Sequence, residues 1–407
     1  MKNIKIAFLL GAGISLCVQA PSTNQITQSL LNDTDIIQGS DKSFFYSKSN
    51  DPSKQLVLLI QEFLKYLGVL IKEYYLWLDK TNFNSARMLN YEGIYYLVWQ
   101  LLSCANSEYD NPAIFKLYKE IQNKFKPELA KLNKDFFDNK GFIGFLENVL
   151  VYIEDIVILK LRLELNNSCG YLKTIQEAYE DKRIKKIEIF SLNHDTLIEQ
   201  CFDNKKIEYS DGFIKEDLEV KIWKPESFNN KLKINLYKLH GSINWYQFLR
   251  EDKREQFIGS VPNFIEDIDH IKDSKNGYLS RSDKHAMLIG TFNKMFGYLS
   301  DVYIELNFRF YKTLLDFDFL VISGYSFNDK GINFYIRRFM NSSQNKKAVI
   351  IDPNTENLKK NARGMISNNW DNWEFPFLQM ETINKKFEDV QLDEIITSFK
   401  FMTKKTL

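Results

Sequence analysis

The chain has 407 residues, of which 44% are hydrophobic and 26% are charged. These values are ordinary for a soluble globular protein and exclude collagen-like, mucin-like and wholly disordered classes. The length allows two or three domains, or one domain with a large insertion. Lys and Arg total 54 against 53 Asp and Glu, a net charge of +1. A strongly basic nucleic-acid binder would show a surplus, so we expect no direct sequence-specific binding to nucleic acid.

The cysteine pattern argues against a metal module. Cys17, Cys104, Cys169 and Cys201 lie far apart, with no C-x-x-C and no close Cys/His pair. A zinc ribbon or a dense disulfide framework needs such spacing. We expect reduced, buried thiols and no bound metal.

The N-terminal 20 residues have some features of a secretion signal, with early lysines, an apolar stretch over 6–18 and a passable small-residue cleavage site at Val18-Gln19-Ala20. The stretch is interrupted at 11–13 by Gly-Ala-Gly, and no run reaches the roughly 18 to 20 apolar residues of a spanning helix. We therefore expect a cytoplasmic protein that does not insert into membranes.

The same residues fit a phosphate-binding turn. Ile4–Leu10 is an apolar run of strand length, and it leads into Gly11-Ala12-Gly13-Ile14-Ser15. Glycines permit a tight turn into a helix, whose first backbone N–H groups point at a bound phosphate. The third glycine of the dinucleotide fingerprint is missing, so this motif alone is weak evidence.

The middle of the chain, from about Gln55 to Lys182, has the periodicity of helices almost throughout. Apolar residues keep helical spacing at Leu56, Leu59, Ile60, Phe63, Leu64, Leu67, Ile71, Tyr74 and Leu78, and again at Phe142, Leu146, Val149, Ile153, Ile156 and Val157. We predict a helical subdomain whose aromatic stripes form core or a subunit interface rather than a cofactor site.

After this region, short apolar runs alternate with helix-like segments. The predicted strands are Lys186–Leu192, Lys233–Leu239, Ala286–Gly290, Phe317–Ser323 and Lys347–Ile351. The predicted helices are Asp195–Phe202, Met295–Leu315, Asp329–Met340, Thr355–Ile366 and a final Asp389–Phe401. Strands separated by helices form βαβ units and a parallel sheet.

The predicted fold class is therefore α/β, a Rossmann-like parallel sheet with a large all-helical insertion. Its first strand, Ile4–Leu10, joins the sheet from across the insertion. The predicted domains are a core of residues 1–50 and 183–385, a helical insertion over 51–182 and a C-terminal helical segment over 386–407. Residues 251–284 are charged and predict a surface loop or lid.

Polar segments follow three of the predicted strands. They are Ser191-Leu192-Asn193-His194-Asp195, Lys238-Leu239-His240-Gly241-Ser242-Ile243-Asn244-Trp245, and Ser323-Gly324-Tyr325-Ser326-Phe327-Asn328-Asp329 with Ile332-Asn333 after it. Ligands of open α/β sheets bind beyond the carboxyl ends of the strands. We expect these polar residues to converge at one sheet edge.

Together with the 11–15 loop, these segments resemble the motifs of the sirtuin (silent information regulator) family, in the same order. The sequences of segments 238–245 and 324–329 are most similar to those of the sirtuin-like NADase domains of bacterial anti-phage defence systems, of the Thoeris or HerA-associated type. The resemblance covers 1–30 and 186–355, about half the chain. Each motif is weak by itself, but the four in one order are fairly specific.

The resemblance implies an NAD-binding Rossmann-like fold in which His240 is the catalytic base, while Asn193 and Asp195 hold the nicotinamide ribose and a water. The implied cofactor-binding residues are Gly11, Ala12, Gly13 and Ser15 around the pyrophosphate, Ser323, Gly324, Ser326 and Asn333 on the far side, and Asp352 and Asn354 near the adenosine. Asn and Asp after a strand also cap helices, and a buried His is often structural. His194 is expected to be structural and to turn away from its neighbours, and His270 and His285 receive no role.

Two departures from the family bear on the reaction. Protein deacylases of the family carry two Cys-x-x-Cys pairs soon after the catalytic His and a Pro-Asp-Phe-Arg segment after the glycine loop. This chain has no such pairs, and Pro21-Ser22-Thr23 brings no matching Arg. Without the zinc module a groove for an acyl-lysine peptide is hard to build, so we expect water as the acceptor.

The expected function is that of an NAD+ glycohydrolase, releasing nicotinamide and ADP-ribose as an effector of defence by NAD depletion. Cleavage passes through an oxocarbenium-like state, which needs oriented dipoles and a positioned water. The alternatives are an NAD-dependent protein deacylase and a non-catalytic NAD- or ADP-ribose-binding scaffold subunit. The resemblance also implies a homo-oligomer and a HerA-type hexameric ATPase as partner. No P-loop or nuclease motif occurs in this sequence, so any ATPase or DNA-cutting activity would come from a separate protein.

Overall fold

The computed structural model describes residues 3–80, 88–108, 111–132, 139–165, 169–215, 220–228, 231–250, 255–261, 272–273, 277–278, 280–291, 293–299 and 301–404. The described chain divides into two compact units. The sheet unit comprises Met1–Ala20, Arg162–Leu288 and Met295–Leu407, and the helical unit comprises Pro21–Leu161 and Ile289–Lys294.

The strands, in chain order, are β1 (Ile4–Leu10), β2 (Ile36–Gln38), β3 (Phe44–Tyr46), β4 (Ile184–Ser191), β5 (Tyr209–Ser210), β6 (Phe213–Lys215), β7 (Lys221–Trp223), β8 (Ile234–Lys238), β9 (Gly241–Arg250), β10 (Glu255–Ser260), β11 (Lys272–Asp273), β12 (Gly277–Tyr278), β13 (Ser280–Met287), β14 (Phe319–Ser323), β15 (Lys347–Ile351) and β16 (Met380–Ile383). The helices are α1 (Thr23–Asn32), α2 (Lys54–Lys80), α3 (Tyr91–Ala105), α4 (Pro112–Leu132), α5 (Asn139–Leu161), α6 (Lys173–Glu180), α7 (Leu197–Lys205), α8 (Lys294–Gly297), α9 (Asp301–Asp316), α10 (Lys330–Ser342), α11 (Thr355–Asn361), α12 (Trp370–Glu374) and α13 (Leu392–Lys404).

A seven-stranded sheet in the order β16-β15-β14-β1-β4-β8-β5 forms the centre of the sheet unit. All of its strand pairs are parallel. The chain leaves β1 for β4 on one side and later returns to β14 on the other, so the strand order reverses at β1. Such a reversal opens a crevice beyond the carboxyl ends of the strands. The predicted α/β class with a parallel sheet is confirmed.

Apolar layers cover both faces of this sheet. In β1, Ile6 and Phe8 belong to one buried cluster, together with residues of α6 and α13. Ala7 and Leu9 belong to the other, together with residues of α9 and α10. Burial on both faces explains why the strand has a nearly continuous apolar sequence instead of an alternating one.

A second, antiparallel sheet in the order β13-β9-β10-β7-β6 lies in the same unit. Two predictions about this region are wrong. Within 251–284, predicted as a loop or lid, Glu255–Ser260 forms a strand and a second strand starts at Ser280. Of the predicted parallel strand Ala286–Gly290, only Ala286 and Met287 lie in a strand; they end β13, which pairs antiparallel with β9. Antiparallel strands tolerate a polar sequence because one face is often solvated, so charge did not indicate a loop here.

The helical unit has an aromatic core. The ring of Phe63 in α2 contacts those of Phe125 in α4 and Phe145 in α5, at centroid distances of 5.0 and 5.2 Å. The β2–β3 hairpin is tied to α5, since the backbone N–H of Phe44 donates to the Asp155 carboxylate at 2.7 Å. This contact groups the hairpin with the helices, so the unit starts earlier in the chain than residue 51, the predicted start of the insertion.

The sheet unit likewise extends beyond the predicted core. Ile175 and Ala178 of α6 are buried in a core cluster with β1 and β4, although the sequence assigned them to the insertion. The helix predicted over Met295–Leu315 is two helices, α8 and α9. Among the residues that the structure describes, no helix has both the length and the apolar content needed to cross a bilayer.

Candidate active site

The polar segments identified in the sequence leave the large sheet at one level. In the strand register Leu10 pairs with Ser323 on one side and with Ser191 on the other. Ser191 in turn pairs with Lys238, and Ser323 with Ile351. The loops after β1, β4, β8, β14 and β15 therefore start along a single edge of the sheet, as the sequence predicted.

The glycine loop after β1 packs directly on the turn after β14. The N–H groups of Gly11 and Gly13 donate to the carbonyl oxygens of Ser323 and Gly324, at 2.9 and 3.0 Å. A Cβ on Gly11 would lie 2.4 Å from the Gly324 oxygen, and one on Gly13 would lie 2.7 Å from the Gly324 Cα. Close backbone contact thus requires these glycines, and their two N–H groups bond to protein. Ala12 and Gly13 remain exposed at the surface.

Ser15 and Asn193 meet at the bases of the loops after β1 and β4. Asn193 Nδ2 donates to the Ser15 hydroxyl at 3.1 Å, and both residues are buried. The Asn193 backbone N–H donates to the Ser191 hydroxyl at 3.2 Å. Asn193 Oδ1 is buried without a hydrogen-bond partner among the described residues. Burying an acceptor without a partner lowers the free energy of unfolding by about 1–3 kcal/mol. Such unpaired groups are often found at functional sites.

Asp195 belongs to a buried charged cluster. Its Oδ1 accepts from the Leu197 N–H at 3.1 Å, so the side chain stabilises the start of α7. Lys238 Nζ donates to the Asp195 carbonyl oxygen and lies 3.3 Å from Glu199 Oε1. Burial raises the pKa of both the Asp195 and the Glu199 carboxyl groups, against the opposing charge of Lys238.

His240 lies two residues after the end of β8. Its imidazole contacts Tyr298 and Asp329, which come from later parts of the chain. Its Nε2 lies 2.7 Å from the Tyr298 hydroxyl and 3.3 Å from Asp329 Oδ2. The Tyr298 hydroxyl donates to the same Asp329 oxygen at 3.0 Å. The other Asp329 oxygen accepts from the Gly331 and Ile332 N–H groups at 2.8 and 3.1 Å and caps α10.

The sequence analysis assigned no role to Tyr298 or Asp329. Asp329 is the first residue of the predicted helix Asp329–Met340, where an Asp is a recognisable N-cap signal. Tyr298 gives no local signal, because its place beside His240 depends on the path of the chain between α8 and α9.

His194, which the sequence analysis expected to be structural, lies beside His240. The two imidazole rings are 6.1 Å apart, at an interplanar angle of 37°. The His194 carbonyl oxygen accepts from the Ile243 N–H at 3.0 Å and from the Ser242 hydroxyl at 3.1 Å. The loop after β4 is therefore bonded to the start of β9, directly after His240, which brings the Asn193 segment close to His240.

In the segment that starts at the end of β14, two of the predicted cofactor-binding residues make hydrogen bonds within the protein. The Ser323 hydroxyl donates to the Ile351 carbonyl oxygen at 2.9 Å. The buried Asn333 side chain donates to the Phe327 carbonyl oxygen and accepts from the Tyr325 hydroxyl, each at 2.8 Å. Ser323 and Asn333 thus shape this loop, whereas Ser326 is exposed at its tip.

Asp352 and Asn354 follow β15 at the same edge. Asp352 Oδ1 accepts from the Asn354 N–H at 2.8 Å, and Asn354 Oδ1 accepts from the Asn357 N–H at 3.0 Å. Asn354 is thereby the N-cap of α11.

Comparison with known families agrees with this arrangement. Residues 187–375 match the family model of the SIR2-like domain. The matched region starts within β4 and contains Asn193, His240 and Asp329. Gly11–Ser15 and α1–α5 lie before it.

Solved structures of Sir2 proteins are similar to this chain at low sequence identity. A Sir2 homologue in complex with NAD is 11% identical, with 98% of this chain and 90% of that chain covered and a TM-score of 0.39. A structure described as the structural basis for the mechanism and regulation of Sir2 enzymes is 11% identical, covering 99% and 94%, with a TM-score of 0.38. No curated protein sequence matches the chain.

Proposed function

We propose that the SIR2-like domain is an NAD+ glycohydrolase, which transfers the ADP-ribosyl group of NAD+ to water. The proposal is supported above all by the arrangement at the sheet edge. Asn193 Oδ1, which accepts no hydrogen bond from the described residues, lies in the loop after β4. The hydrogen-bonded imidazole of His240 lies in the loop after the neighbouring strand β8, and the β4 loop is bonded to the start of β9 directly after it. The resemblance of the surrounding segments to sirtuin motifs supplies the substrate.

The proposed reaction breaks one bond and forms one. The bond between the ribose C1′ and the nicotinamide nitrogen breaks, and its electron pair neutralises the pyridinium, so nicotinamide leaves uncharged. The sugar becomes oxocarbenium-like, and a water oxygen attacks C1′. His240 accepts the proton that this water loses, and the products are nicotinamide, ADP-ribose and a proton.

Asn193 suits the charge that develops on the sugar. Its Oδ1 is the negative end of a fixed amide dipole, because Nδ2 is held by the Ser15 hydroxyl. A preoriented dipole stabilises a developing cation without reorganising during the reaction. Oδ1 can equally accept a hydrogen bond from the attacking water, so one atom serves both tasks.

In this proposal some of the remaining predicted site residues contact NAD, and others shape the loops around it. Ala12 and Gly13 are exposed at the sheet edge and are assigned to the pyrophosphate, and the exposed Ser326 is assigned to the far side of the cofactor. Asp352 and Asn354 are assigned to the adenosine end. Gly11, Gly324, Ser323 and Asn333 contribute by shaping the loops, and Asp195 by supporting the start of α7 below Asn193.

Two alternatives share NAD binding but differ in the fate of the bound NAD. A deacylase would pass the ADP-ribosyl group to an acyl-lysine oxygen instead of water, and a scaffold subunit would bind NAD or ADP-ribose without turnover. The resemblance to defence NADases extends our proposal to a cytoplasmic homo-oligomer with a HerA-type ATPase partner, in which depletion of NAD is the cellular effect.

Product chromatography tests the proposal. Purified full-length protein is incubated with NAD+ alone, with an acetyl-lysine peptide, and with the ATPase partner. Release of nicotinamide and ADP-ribose in equal amounts without peptide is the expected result. Release that requires the peptide would establish the deacylase instead, and calorimetric binding of NAD+ without nicotinamide in any tube would establish the scaffold.

A further inference from the structure

The His240 imidazole contacts Tyr298 and Asp329, two side chains that have no direct part in the proposed reaction. Tyr298 and Asp329 come from separate segments, yet both approach the same ring nitrogen, at 2.7 and 3.3 Å. All three residues belong to the sheet unit. His240 is buried, with 4% of its surface exposed, so these contacts are made away from bulk water.

The carboxylate determines the direction of the hydrogen bonds. An ionised carboxylate only accepts, so the Tyr298 hydroxyl places its hydrogen on Asp329. The Tyr298 oxygen is then an acceptor towards His240, and Nε2 must carry a hydrogen to bond to it. A neutral imidazole with its hydrogen on Nε2 has Nδ1 as its basic nitrogen.

We propose that Asp329, acting through Tyr298, is a positioning residue that holds His240 in the Nε2–H tautomer, so that Nδ1 is the atom that accepts the proton. This inference rests on the proposed NADase function for its role in catalysis, although the tautomer itself is independent of any reaction.

Asp329 is well placed to transmit orientation. One of its oxygens is fixed by two backbone N–H groups at the start of α10, a helix of 13 residues. The other oxygen receives Tyr298. The carboxylate therefore cannot follow the imidazole if the ring turns. Orientation by a carboxylate behind a histidine is an established way of fixing a catalytic tautomer.

The substitution Asp329→Asn separates capping from orientation. Asn is as good a helix N-cap as Asp, so the bonds from Gly331 and Ile332 are kept. The second oxygen becomes an NH2 donor, and the Tyr298 hydroxyl then accepts from it and donates to His240 Nε2. The tautomer is expected to invert, with the hydrogen moving to Nδ1.

Nitrogen NMR of histidine reads this out without NAD. The chain has four histidines, so 15N-histidine labelling gives a simple spectrum in which His240→Gln identifies one spin system. We expect Nε2–H in the wild type and Nδ1–H in Asp329→Asn. Tyr298→Phe should keep Nε2–H, because Asp329 Oδ2 then receives it directly.

Kinetics of nicotinamide release measures the consequence. Asp329→Asn is expected to lower kcat by roughly 10²-fold, the smaller end of the range for general-base help, without raising KM for NAD. Tyr298→Phe should lower kcat less. The matched control is Tyr46→Phe, which removes another tyrosine–carboxylate bond, 2.5 Å to Asp33 in the helical unit, and should change neither tautomer nor kcat.

The outcomes separate this inference from the proposed function. An Nδ1–H tautomer in the wild type, or one that Asp329→Asn leaves unchanged, overturns the positioning role even if NAD is cleaved. An inverted tautomer with unchanged kcat overturns its relevance to catalysis. Absence of NAD cleavage with the expected tautomers overturns the NADase proposal and leaves the hydrogen-bond relay established.

Discussion

Asn193 donates a hydrogen bond to the hydroxyl of Ser15, although 178 residues separate them in the sequence. The bond spans neighbouring strands β1 and β4 just beyond their carboxyl ends. It uses the donor side of the amide and so fixes the direction of the acceptor, Oδ1, which has no partner in the described part of the chain. Ser15 therefore orients the group that we assign to the nicotinamide ribose.

Ser15→Ala tests this orientation. The change leaves the buried Asn193 Nδ2 without its acceptor, which should lower the free energy of unfolding by about 1–3 kcal/mol. The amide also becomes free to turn, so kcat for nicotinamide release should fall. Urea denaturation and initial rates give the two values. Ser47→Ala, at an exposed hydroxyl bonded to the neighbouring Ser49, should stay within about 0.5 kcal/mol. Unchanged stability and kcat in Ser15→Ala would contradict the role.

His240→Ala removes the proposed general base. Loss of general-base help should lower nicotinamide release by roughly 10²- to 10⁴-fold. NAD binding should remain measurable by calorimetry, because the loops that we assign to the phosphates do not depend on the imidazole. His285→Ala, in β13, is the matched control and should retain turnover. Nicotinamide release by His240→Ala at the wild-type rate would remove His240 from the reaction.

The strands buried on both faces could be predicted closely from sequence. The strands Ile4–Leu10 and Lys347–Ile351 have the predicted limits. A strand that is buried on both faces of the sheet has an apolar sequence, and this sequence ends where the polar loop starts. Their carboxyl ends also located the candidate site, because parallel strands place those ends at one edge. His240 and Asn193 were found in this way.

Residues whose role depends on distant partners were missed. The antiparallel sheet of β9, β10 and β13 depends on pairing that has no strong local turn signal. Gly11 and Gly13 indicated a phosphate loop, but in the structure the lack of a Cβ at both positions also allows close packing against Gly324. Tyr298 reaches His240 only through the path of the chain, so no pattern near it in the sequence predicts the contact.

The contact between glycine loops predicts an unequal response to added methyl groups. A Cβ at Gly13 would lie 2.7 Å from the Gly324 Cα, which is backbone and cannot move aside cheaply. Gly13→Ala should therefore lower the free energy of unfolding by about 1–3 kcal/mol, as overpacking does. Gly144→Ala in α5 is the control, since outside its own helix backbone and its chain neighbours no atom of the described residues lies within 4 Å of its added Cβ. There the loss of glycine should stabilise the helix by about 0.5–1 kcal/mol. Equal responses of the two variants would show that the loops separate readily.

Asp195→Asn should change the pH dependence of stability. Burial raises the Asp195 pKa above its unfolded value, so the native state retains this proton to higher pH than the unfolded chain does. The contribution of Asp195 to the free energy of unfolding therefore falls as pH rises from the unfolded pKa, about 3.9, through the folded pKa, and is constant above it.

Asn keeps the acceptor for the Leu197 N–H but cannot ionise. The free energy of unfolding of the variant minus that of the wild type should accordingly rise with pH over this interval. Urea denaturation of both proteins at several values between about pH 4 and pH 8 measures the difference. A difference that falls with increasing pH would mean that attraction to Lys238 outweighs burial, and that Asp195 is a stabilising ion-pair partner in the folded protein.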